Sequence, residues 1–123
     1  MYLLTVNSER DLVYQVYAGH VGLAEAERCR MEIEAVLPTL SSGFRLLTDL
    51  SDLEEMDFSC AGEIRAMMEA LRKHGVSRIV RVIPDHRKDI GFTVMSYFHY
   101  GHDVSFQTVD TLAEALKASE SAE

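Results

Sequence analysis

Apolar positions along this chain alternate between strand-like and helix-like spacing, and the changes of spacing predict its elements. Tyr2 to Val6 and Leu12 to Tyr17 are β-favouring runs, and the segment between them is rich in turn formers. The chain therefore begins with a predicted antiparallel hairpin. After Gly19 and Gly22 comes a helical stripe that Pro38 should end, because proline disfavours α geometry in the residue before it. The stripe consists of Leu23, Ala26, Ile33, Val36 and Leu37.

The next segment passes from a buried strand to an amphipathic helix through a carboxylate-rich loop. The strand is predicted for FRLLTDL, which starts at Phe44, and the loop for DLEEMDFS. A helix should then begin beside Ser59 and end at Gly75, a predicted C′ glycine that follows basic residues. The apolar stripe of this helix consists of Ile64, Met67, Met68 and Leu71.

Two further strands and two further helices complete the pattern. A strand is predicted for RIVRVIP, an aromatic helix for IGFTVMSYFHYG, a strand for VSFQTV and a last helix for TLAEALKAS, with Asp110 or Thr111 as its N-cap. This order predicts an α/β domain with a mostly parallel sheet, an N-terminal antiparallel hairpin, about five strands and about four helices. We expect a single domain over residues 1–119 and a polar tail over residues 120–123.

Composition and charge narrow the class of protein. The 123 residues are 47% hydrophobic and 26% charged, as is typical of a soluble globular domain. The formal net charge of −8 argues against a nucleic-acid partner, which would require clustered Lys and Arg. Arg78 and Arg81 alternate with apolar residues on a predicted strand and are interpreted as a solvated face. Because there is no basic leader and no long apolar run, we expect no membrane span and a cytoplasmic location.

The residue types that usually bind metals or catalyse reactions do not form a recognisable metal site or catalytic site in this sequence. Cys29 and Cys60 lack disulfide or CxxC spacing, so buried free thiols are expected. We find no nucleophile elbow, phosphate loop or carboxylate dyad in a suitable context, and we expect no enzyme, no cofactor and no metal. Five carboxylates cluster in one segment, which could suggest a calcium-binding loop. Such loops need ligands at alternating positions and a glycine for the sharp turn, and both are missing here, so a solvated loop is favoured. These carboxylates are Asp49, Asp52, Glu54, Glu55 and Asp57.

The run from Asp49 to Gly62, D-L-S-D-L-E-E-M-D-F-S-C-A-G, resembles the STAS domain, the family of bacterial anti-sigma factor antagonists. Members of that family show an apolar strand, an Asp-Leu-Ser segment and then Asp-Ser-Ser/Thr-Gly-x-Gly. The hairpin, the turn at Gly19 and the terminal helix of this chain also look like that family. The resemblance therefore implies a STAS-like fold over nearly the whole chain.

The resemblance also implies a regulatory function in which phosphorylation switches the choice of partner. The family's phosphoacceptor matches Ser59, and the unphosphorylated domain would bind an anti-sigma factor or kinase-like regulator. A phosphate on Ser59 would release that partner, and the nearby helix start would stabilise the added charge. The residues expected to contact the partner are Asp49, Asp57, Phe58, Ser59 and Gly62.

Two positions of the motif differ from the family pattern. Phe58 replaces the first hydroxyl, which alters the surface beside the acceptor, and Cys60 replaces a glycine, which removes backbone freedom at the helix entry. Simpler interpretations of the neighbouring residues also stay open. Ser59 can serve as a hydroxyl that starts the helix, and Asp57 as a cap of the loop.

Two other functions stay open alongside the regulatory one. Half of the ten aromatic residues lie between Phe92 and Phe106, close to His99 and His102, although aromatics at helical spacing more often form core. A small-ligand sensor or carrier would use them as a pocket. A constitutive scaffold, in which Phe58 is a packing contact, is the other alternative, and a homo-oligomer is also open. The pocket residues are Phe92, Tyr97, Phe98 and Phe106.

Overall fold

The computed structural model describes residues 1–82, 89–90 and 105–120, which form two sheets and the helices that flank them. The helices are α1 (Leu23–Val36), α2 (Ala61–His74) and α3 (Leu112–Glu120), and single 3-10 turns cover Leu37–Thr39 and Phe58–Cys60. The strands are β1 (Tyr2–Asn7), β2 (Leu12–Tyr17), β3 (Gly19–Val21), β4 (Arg45–Asp49), β5 (Leu53–Met56), β6 (Arg78–Val82), β7 (Asp89–Ile90) and β8 (Ser105–Val109).

Five strands form the main sheet in the order β1-β2-β4-β6-β8. β1 and β2 pair in antiparallel, with Tyr2 opposite Tyr17, and the other three pairs of neighbours are parallel. α1 connects β2 to β4 and α2 connects β4 to β6, so helical crossovers join these parallel strands. The predicted α/β fold with an N-terminal hairpin and a mostly parallel sheet is confirmed.

The sequence pattern does not predict the second sheet, whose strand order is β3-β5-β7. The predicted acidic loop contains β5, in which Leu53 and Met56 are buried and the two glutamates between them are exposed. The loop prediction was wrong because those carboxylates obscure the two buried positions that make the strand. Ile90 belongs to β7 rather than to a helix, and the rest of the predicted aromatic helix lies outside the described residues. Within the described part of the chain there are eight strands, more than the five or so predicted, and three helices, while most of the fourth predicted helix lies outside that part.

α1 and α2 pack against each other and cover one face of the main sheet. α1 ends at Val36, before Pro38, as predicted. Its predicted apolar stripe is only partly buried, since Leu23 at its first turn is exposed and Ala26 and Ile33 are buried. The predicted stripe of α2 is buried in full, at Ile64, Met67, Met68 and Leu71.

A row of polar side chains crosses the main sheet beneath the helices, and the sequence pattern does not predict it. Its members occupy matched positions on β2, β4, β6 and β8 and are Gln15, Thr48, Arg81 and Thr108. Thr48 Oγ1 donates to Gln15 Oε1 at 3.1 Å, and Arg81 Nη2 donates to Thr108 Oγ1 at 2.6 Å. Gln15 Nε2 donates to one sulfur atom on α1 and one on α2, at 3.2 and 3.0 Å. These hydrogen bonds offset the cost of burying polar groups in the core.

Arg81 is buried, which corrects the prediction that it belongs to a solvated basic face. Its side chain is 2% exposed, and burial lowers the pKa of its guanidinium. Arg78 and Arg81 are three residues apart on β6, so their side chains point to opposite faces of the sheet. Arg78 lies on the α3 face, where its Nη1 donates to the carbonyl of Ala118 at 3.0 Å.

α3 lies on the opposite face of the main sheet and meets it through small residues. Ala115 and Ser119 are buried, whereas its two leucines stay exposed. Arg45 on β4 and Arg78 on β6 donate to carbonyl groups in the last turn of α3. Cations at a helix C-terminus are stabilising, because the unpaired carbonyl groups there carry partial negative charge. Two arginines of the sheet therefore fasten the end of α3.

Gly75 closes α2 as the predicted C′ glycine. Its φ of 99° lies in the left-handed region that favours glycine, and its N–H donates to the carbonyl of Arg72 at 3.1 Å. A side chain at this position would clash with Ser42 Oγ. Gly62 in the first turn of α2 has open space around it and no positive φ. A side chain is therefore disfavoured at Gly75 and tolerated at Gly62.

We expect Gly75→Ala to lower the free energy of unfolding by more than about 1 kcal/mol, because it adds backbone strain as well as the clash. Gly62→Ala is the matched control, and it should be neutral or stabilising by up to about 1 kcal/mol because alanine favours the helix. Urea unfolding followed by circular dichroism measures both values. Equal effects of the two substitutions would contradict the role assigned to Gly75.

Candidate functional site

Two segments of the chain run side by side into the candidate site because β3 and β5 pair in parallel. His20 lies opposite Glu55, and Val21 lies opposite Met56. The pairing continues beyond the strands, since the backbone N–H of Asp57 donates to the carbonyl of Val21 at 3.0 Å. The start of α1 and the residues that lead into α2 are thereby held next to each other.

A single turn, Phe58–Cys60, separates β5 from α2, and we call it the Phe58 turn. The N–H of Cys60 donates to the carbonyl of Asp57 at 2.9 Å, which closes the turn. The buried Cys60 thiol donates to the carbonyl of Val21 at 3.6 Å and fastens the turn to β3. Burial, followed by the negative charge of Asp57, raises the pKa of this thiol. Cys60 and Cys29 are both free and buried, as predicted.

The Phe58 turn presents two residues to solvent. Phe58 is 71% exposed, and Ser59 is exposed beside it. α2 begins at Ala61, two residues after Ser59, and neither the turn nor α2 has a side-chain cap hydrogen bond. The interpretation of Ser59 as a hydroxyl that caps the helix is therefore wrong. Its position next to the start of α2 agrees with the sequence prediction.

Asp57 binds a histidine from β3, a contact that no sequence feature indicated. His20 Nε2 and Asp57 Oδ1 are 2.7 Å apart, and both side chains are about half exposed. The hydrogen bond that the His20 ring donates to Asp57, and then the negative charge of Asp57, raise the pKa of His20, and Glu55 and Glu25 add smaller contributions. The interpretation of Asp57 as a loop cap is replaced by this contact between β3 and the Phe58 turn.

Asp49 and Gly62, the other two residues predicted to contact a partner, differ in exposure. Asp49 is 7% exposed, and its Oδ1 accepts hydrogen bonds from the N–H and the hydroxyl of Ser51 at 3.0 and 2.6 Å. Its carboxylate is thus occupied in closing the turn after β4. Gly62 is exposed in the first turn of α2. The structure therefore groups four of the five predicted residues near one surface, namely Asp57, Phe58, Ser59 and Gly62.

Acidic side chains accompany this surface. Glu54 and Glu55 are exposed on β5, beside the Phe58 turn. Arg30 on α1 bridges Glu34 and Glu63, which binds α1 to the first turn of α2. Across residues 1–82, 89–90 and 105–120, no group of three or more His, Cys, Asp or Glu side chains is placed to hold a metal ion.

The predicted aromatic pocket falls almost entirely outside the described residues. Phe92, Tyr97 and Phe98 lie there, as do His99 and His102. Phe106 belongs to β8 by its backbone, and its side chain is outside the described part. The pocket stays a prediction.

Comparison with solved structures identifies the fold. The anti-sigma factor antagonist SpoIIAA in its unphosphorylated form has a TM-score of 0.66 with this chain at 18% identity, with 96% of each chain covered. The chain has a SpoIIAA-like fold. SpoIIAA from Bacillus in the phosphorylated form gives 0.64 at 17% identity over 96% of this chain and 98% of that one. An anti-sigma factor antagonist from Mycobacterium paratuberculosis gives 0.58 at 21% identity over 98% of this chain and 96% of that one.

No family model and no curated protein matches the sequence, so the comparison with solved structures is what identifies the SpoIIAA-like fold. At these identities the likeness establishes the fold and nothing finer. The STAS-like prediction from the run between Asp49 and Gly62 is confirmed at that level. A search of the described helices finds none that is both long and apolar enough to pass through a bilayer.

We expect the pKa of His20 to lie above its ordinary value of 6.5 because Asp57 stabilises the imidazolium. A pKa raised by folding means that the contact stabilises the fold below about pH 6.5, and that this contribution is lost as the pH rises through the folded-state pKa. An NMR titration of the His20 ring measures the value.

Asp57→Asn should return the pKa of His20 towards 6.5, because it removes the negative partner. Glu54→Gln is the control, since Glu54 is a neighbouring carboxylate on β5 that is not among the groups that raise the pKa of His20. A wild-type pKa at or below the ordinary value would contradict the pairing of His20 with Asp57.

Proposed function

We propose that this chain is a non-catalytic regulatory module that binds a protein partner through the Phe58 turn and the start of α2. The observation that supports this best is Phe58, an aromatic side chain 71% exposed on a turn that is hydrogen-bonded at both ends. Aromatic side chains dominate binding energies when they enter a pocket on a partner. The SpoIIAA-like fold supports the same class of function, because SpoIIAA is an anti-sigma factor antagonist.

The Phe58 turn is well suited to recognition because it is held in place before any partner arrives. Asp57 is fixed to β3 through its backbone N–H, and Cys60 is fixed to the same strand through its thiol. α2 continues from the turn with a fully buried apolar stripe. A surface that is ordered in advance loses little conformational entropy on binding, so more of the contact energy contributes to affinity.

The partner in this proposal is an anti-sigma factor or a kinase-like regulator. The motif from Asp49 to Gly62 and the fold together support that choice. The proposal keeps the predicted single domain over residues 1–119, although α3 runs one residue further, to Glu120, and so includes the first residue of the predicted tail over 120–123. The interaction takes place in the cytoplasm. Asp49 is left out of the contact surface because its carboxylate is buried against Ser51.

Ser59 is the switch in this proposal. Its exposure makes the hydroxyl accessible to a kinase, and the positive end of α2 stabilises an anion beside it. A phosphate adds a charge of about −1.5 to −2 and three strongly hydrated oxygens. A partner that buries Phe58 would have to remove water from this phosphate as well, which is costly. Phosphorylation therefore disfavours the bound state.

Catalysis is not part of the proposal because Ser59 lacks the neighbours that activate a nucleophile. An activated serine requires a base within about 3 Å of its hydroxyl. In the described part of the chain, no histidine or carboxylate is hydrogen-bonded to Ser59. His20, the histidine on the adjacent strand, is hydrogen-bonded to Asp57.

Incubation of the purified chain with a lysate of its own cells and ATP should place a phosphate on Ser59, because the hydroxyl is exposed next to a helix start. Mass spectrometry of the peptides locates the phosphate. Ser59→Ala should abolish it, whereas Ser8→Ala, which removes an exposed hydroxyl in the β1–β2 turn, should leave it unchanged. Absence of phosphate on Ser59 would favour a constitutive scaffold over a switch.

We expect the immobilised wild-type chain to capture a protein that Phe58→Ala and Ser59→Asp fail to retain. Titration of the captured protein should show that Phe58→Ala weakens binding by at least about 10-fold, as expected for an aromatic anchor. Met31→Ala is the control, because Met31 is 56% exposed on α1 away from the turn. If Phe58→Ala bound the captured protein as tightly as the wild type does, the proposed surface would be contradicted. If Phe58→Ala lost binding and Ser59→Asp kept it, only the proposed switch would be contradicted.

A further inference from the structure

We propose that the face of the main sheet opposite α1 and α2 carries a second interaction surface, and that a second copy of this chain occupies it. The surface has two parts that lie side by side. The first, which we call the trough, is the outer side of β1 and β2. The second, which we call the ridge, is the pair of exposed leucines on α3, Leu112 and Leu116.

The trough follows from the alternation of side chains along β2. Val13, Gln15 and Tyr17 are buried under α1 and α2, so the residues between them face the other way and are half-buried. On β1, Leu3 lies opposite Val16 and is 46% exposed. Among the described helices, α3 packs mainly on β4, β6 and β8 and reaches β2 near Tyr14, so most of the outer side of β1 and β2 has no described helix packed on it. The apolar residues of the trough are Leu3, Leu12, Tyr14 and Val16.

The ridge lies along the border of the trough. Residues 112, 116 and 119 are spaced by four and by three, so they share one side of α3. That side faces β4, because the carbonyl of Ser119 accepts from Arg45 on β4 while the carbonyl of Ala118 accepts from Arg78 on β6. β2 is the next strand beyond β4, and Tyr14 on β2 packs against the cluster that contains Ala115. The leucines of α3 therefore stand beside the trough.

Charge indicates what can bind there. β1 and β2 contain no charged residue, although the chain carries a formal net charge of −8. The charged residues on the adjoining strand are already engaged, Arg45 with backbone carbonyls and Asp49 with Ser51. Two bodies of the same high charge repel each other, so they associate most readily through a surface that has no carboxylates. β1 and β2 meet that condition, and the carboxylate of Asp49 on the adjoining strand is 7% exposed and bonded to Ser51.

The shape of the surface also fits a second copy. A ridge beside a trough is self-complementary, because a twofold axis between them places the ridge of each copy in the trough of the other. Strands of six residues span about 20 Å, and two strands with one helix are about 20 Å wide, which gives roughly 400 Å² per copy. An interface of that size supports a weak, concentration-dependent dimer rather than an obligate one.

Sedimentation of the wild-type chain from about 10 µM to about 1 mM should therefore show mass rising from that of a monomer towards that of a dimer. Raising the salt from about 0.01 M to about 1 M should strengthen the association, because it screens the repulsion between two copies and the interface has no ion pairs to weaken. An interface built on ion pairs would respond in the opposite direction. A monomer throughout this range, or association that weakens with salt, would overturn the proposal.

Variants locate the interface. Leu116→Glu should keep the chain monomeric at every concentration, because it introduces a carboxylate into the partner's trough. Leu23→Glu is the matched control, since Leu23 is an equally exposed leucine on α1, and it should associate like the wild type. An equal loss of association in both variants would overturn the assignment of the face. Circular dichroism melting checks that both variants remain folded.

A mixing experiment tests the crossed geometry directly. Leu3→Lys should also be monomeric by itself, because it adds positive charge to the trough. An equimolar mixture with Leu116→Glu should recover mixed dimers, in which the new lysine of one copy meets the new glutamate of the other. Amide spectra of the wild-type chain over the same dilution series should shift on β1, β2 and α3. Shifts confined to α1, α2 or the Phe58 turn would overturn the proposal even if a variant failed to fold.

Discussion

The backbone hydrogen bond from Asp57 to the carbonyl of Val21 determines where the candidate site lies. It extends the parallel pairing of β3 and β5 by one step, so that the chain cannot enter α2 without turning beside the start of α1. The thiol of Cys60 and the ring of His20 add two more contacts between the same segments. The exposure of Phe58 and Ser59 therefore depends on a strand of three residues.

The structure also explains how the Phe58 turn accommodates its two departures from the STAS motif. Cys60 adopts φ −72° and ψ −16°, an ordinary right-handed helical conformation, so replacing glycine there introduces no backbone strain. Its side chain points inward and bonds to β3, whereas that of Phe58 points outward into solvent. The Cys60 side chain therefore attaches the turn to β3, and the Phe58 side chain adds an exposed aromatic group to the surface of the turn.

The parts of this fold that sequence could predict are those that depend on a residue's own neighbours. The stripe of α2 and the C′ glycine Gly75 are local patterns, and both are found in the structure. β5 was missed because its partner, β3, is distant in sequence and only two of its four residues are buried. Nothing near His20 in sequence indicates its contact with Asp57. The row of polar residues that includes Gln15 likewise depends on the register of four strands, which no single segment encodes.

The two faces of the main sheet separate the two proposed surfaces. The Phe58 turn belongs to the side that α1 and α2 cover, whereas the trough and the ridge lie on the side of α3. A dimer formed through the trough and the ridge would leave both copies of the Phe58 turn exposed. Such a dimer would present two sites to a partner that is itself dimeric, and the second contact would then form at a high effective concentration. Weak association of the chain with itself would in that way increase its avidity without adding any contact to the site.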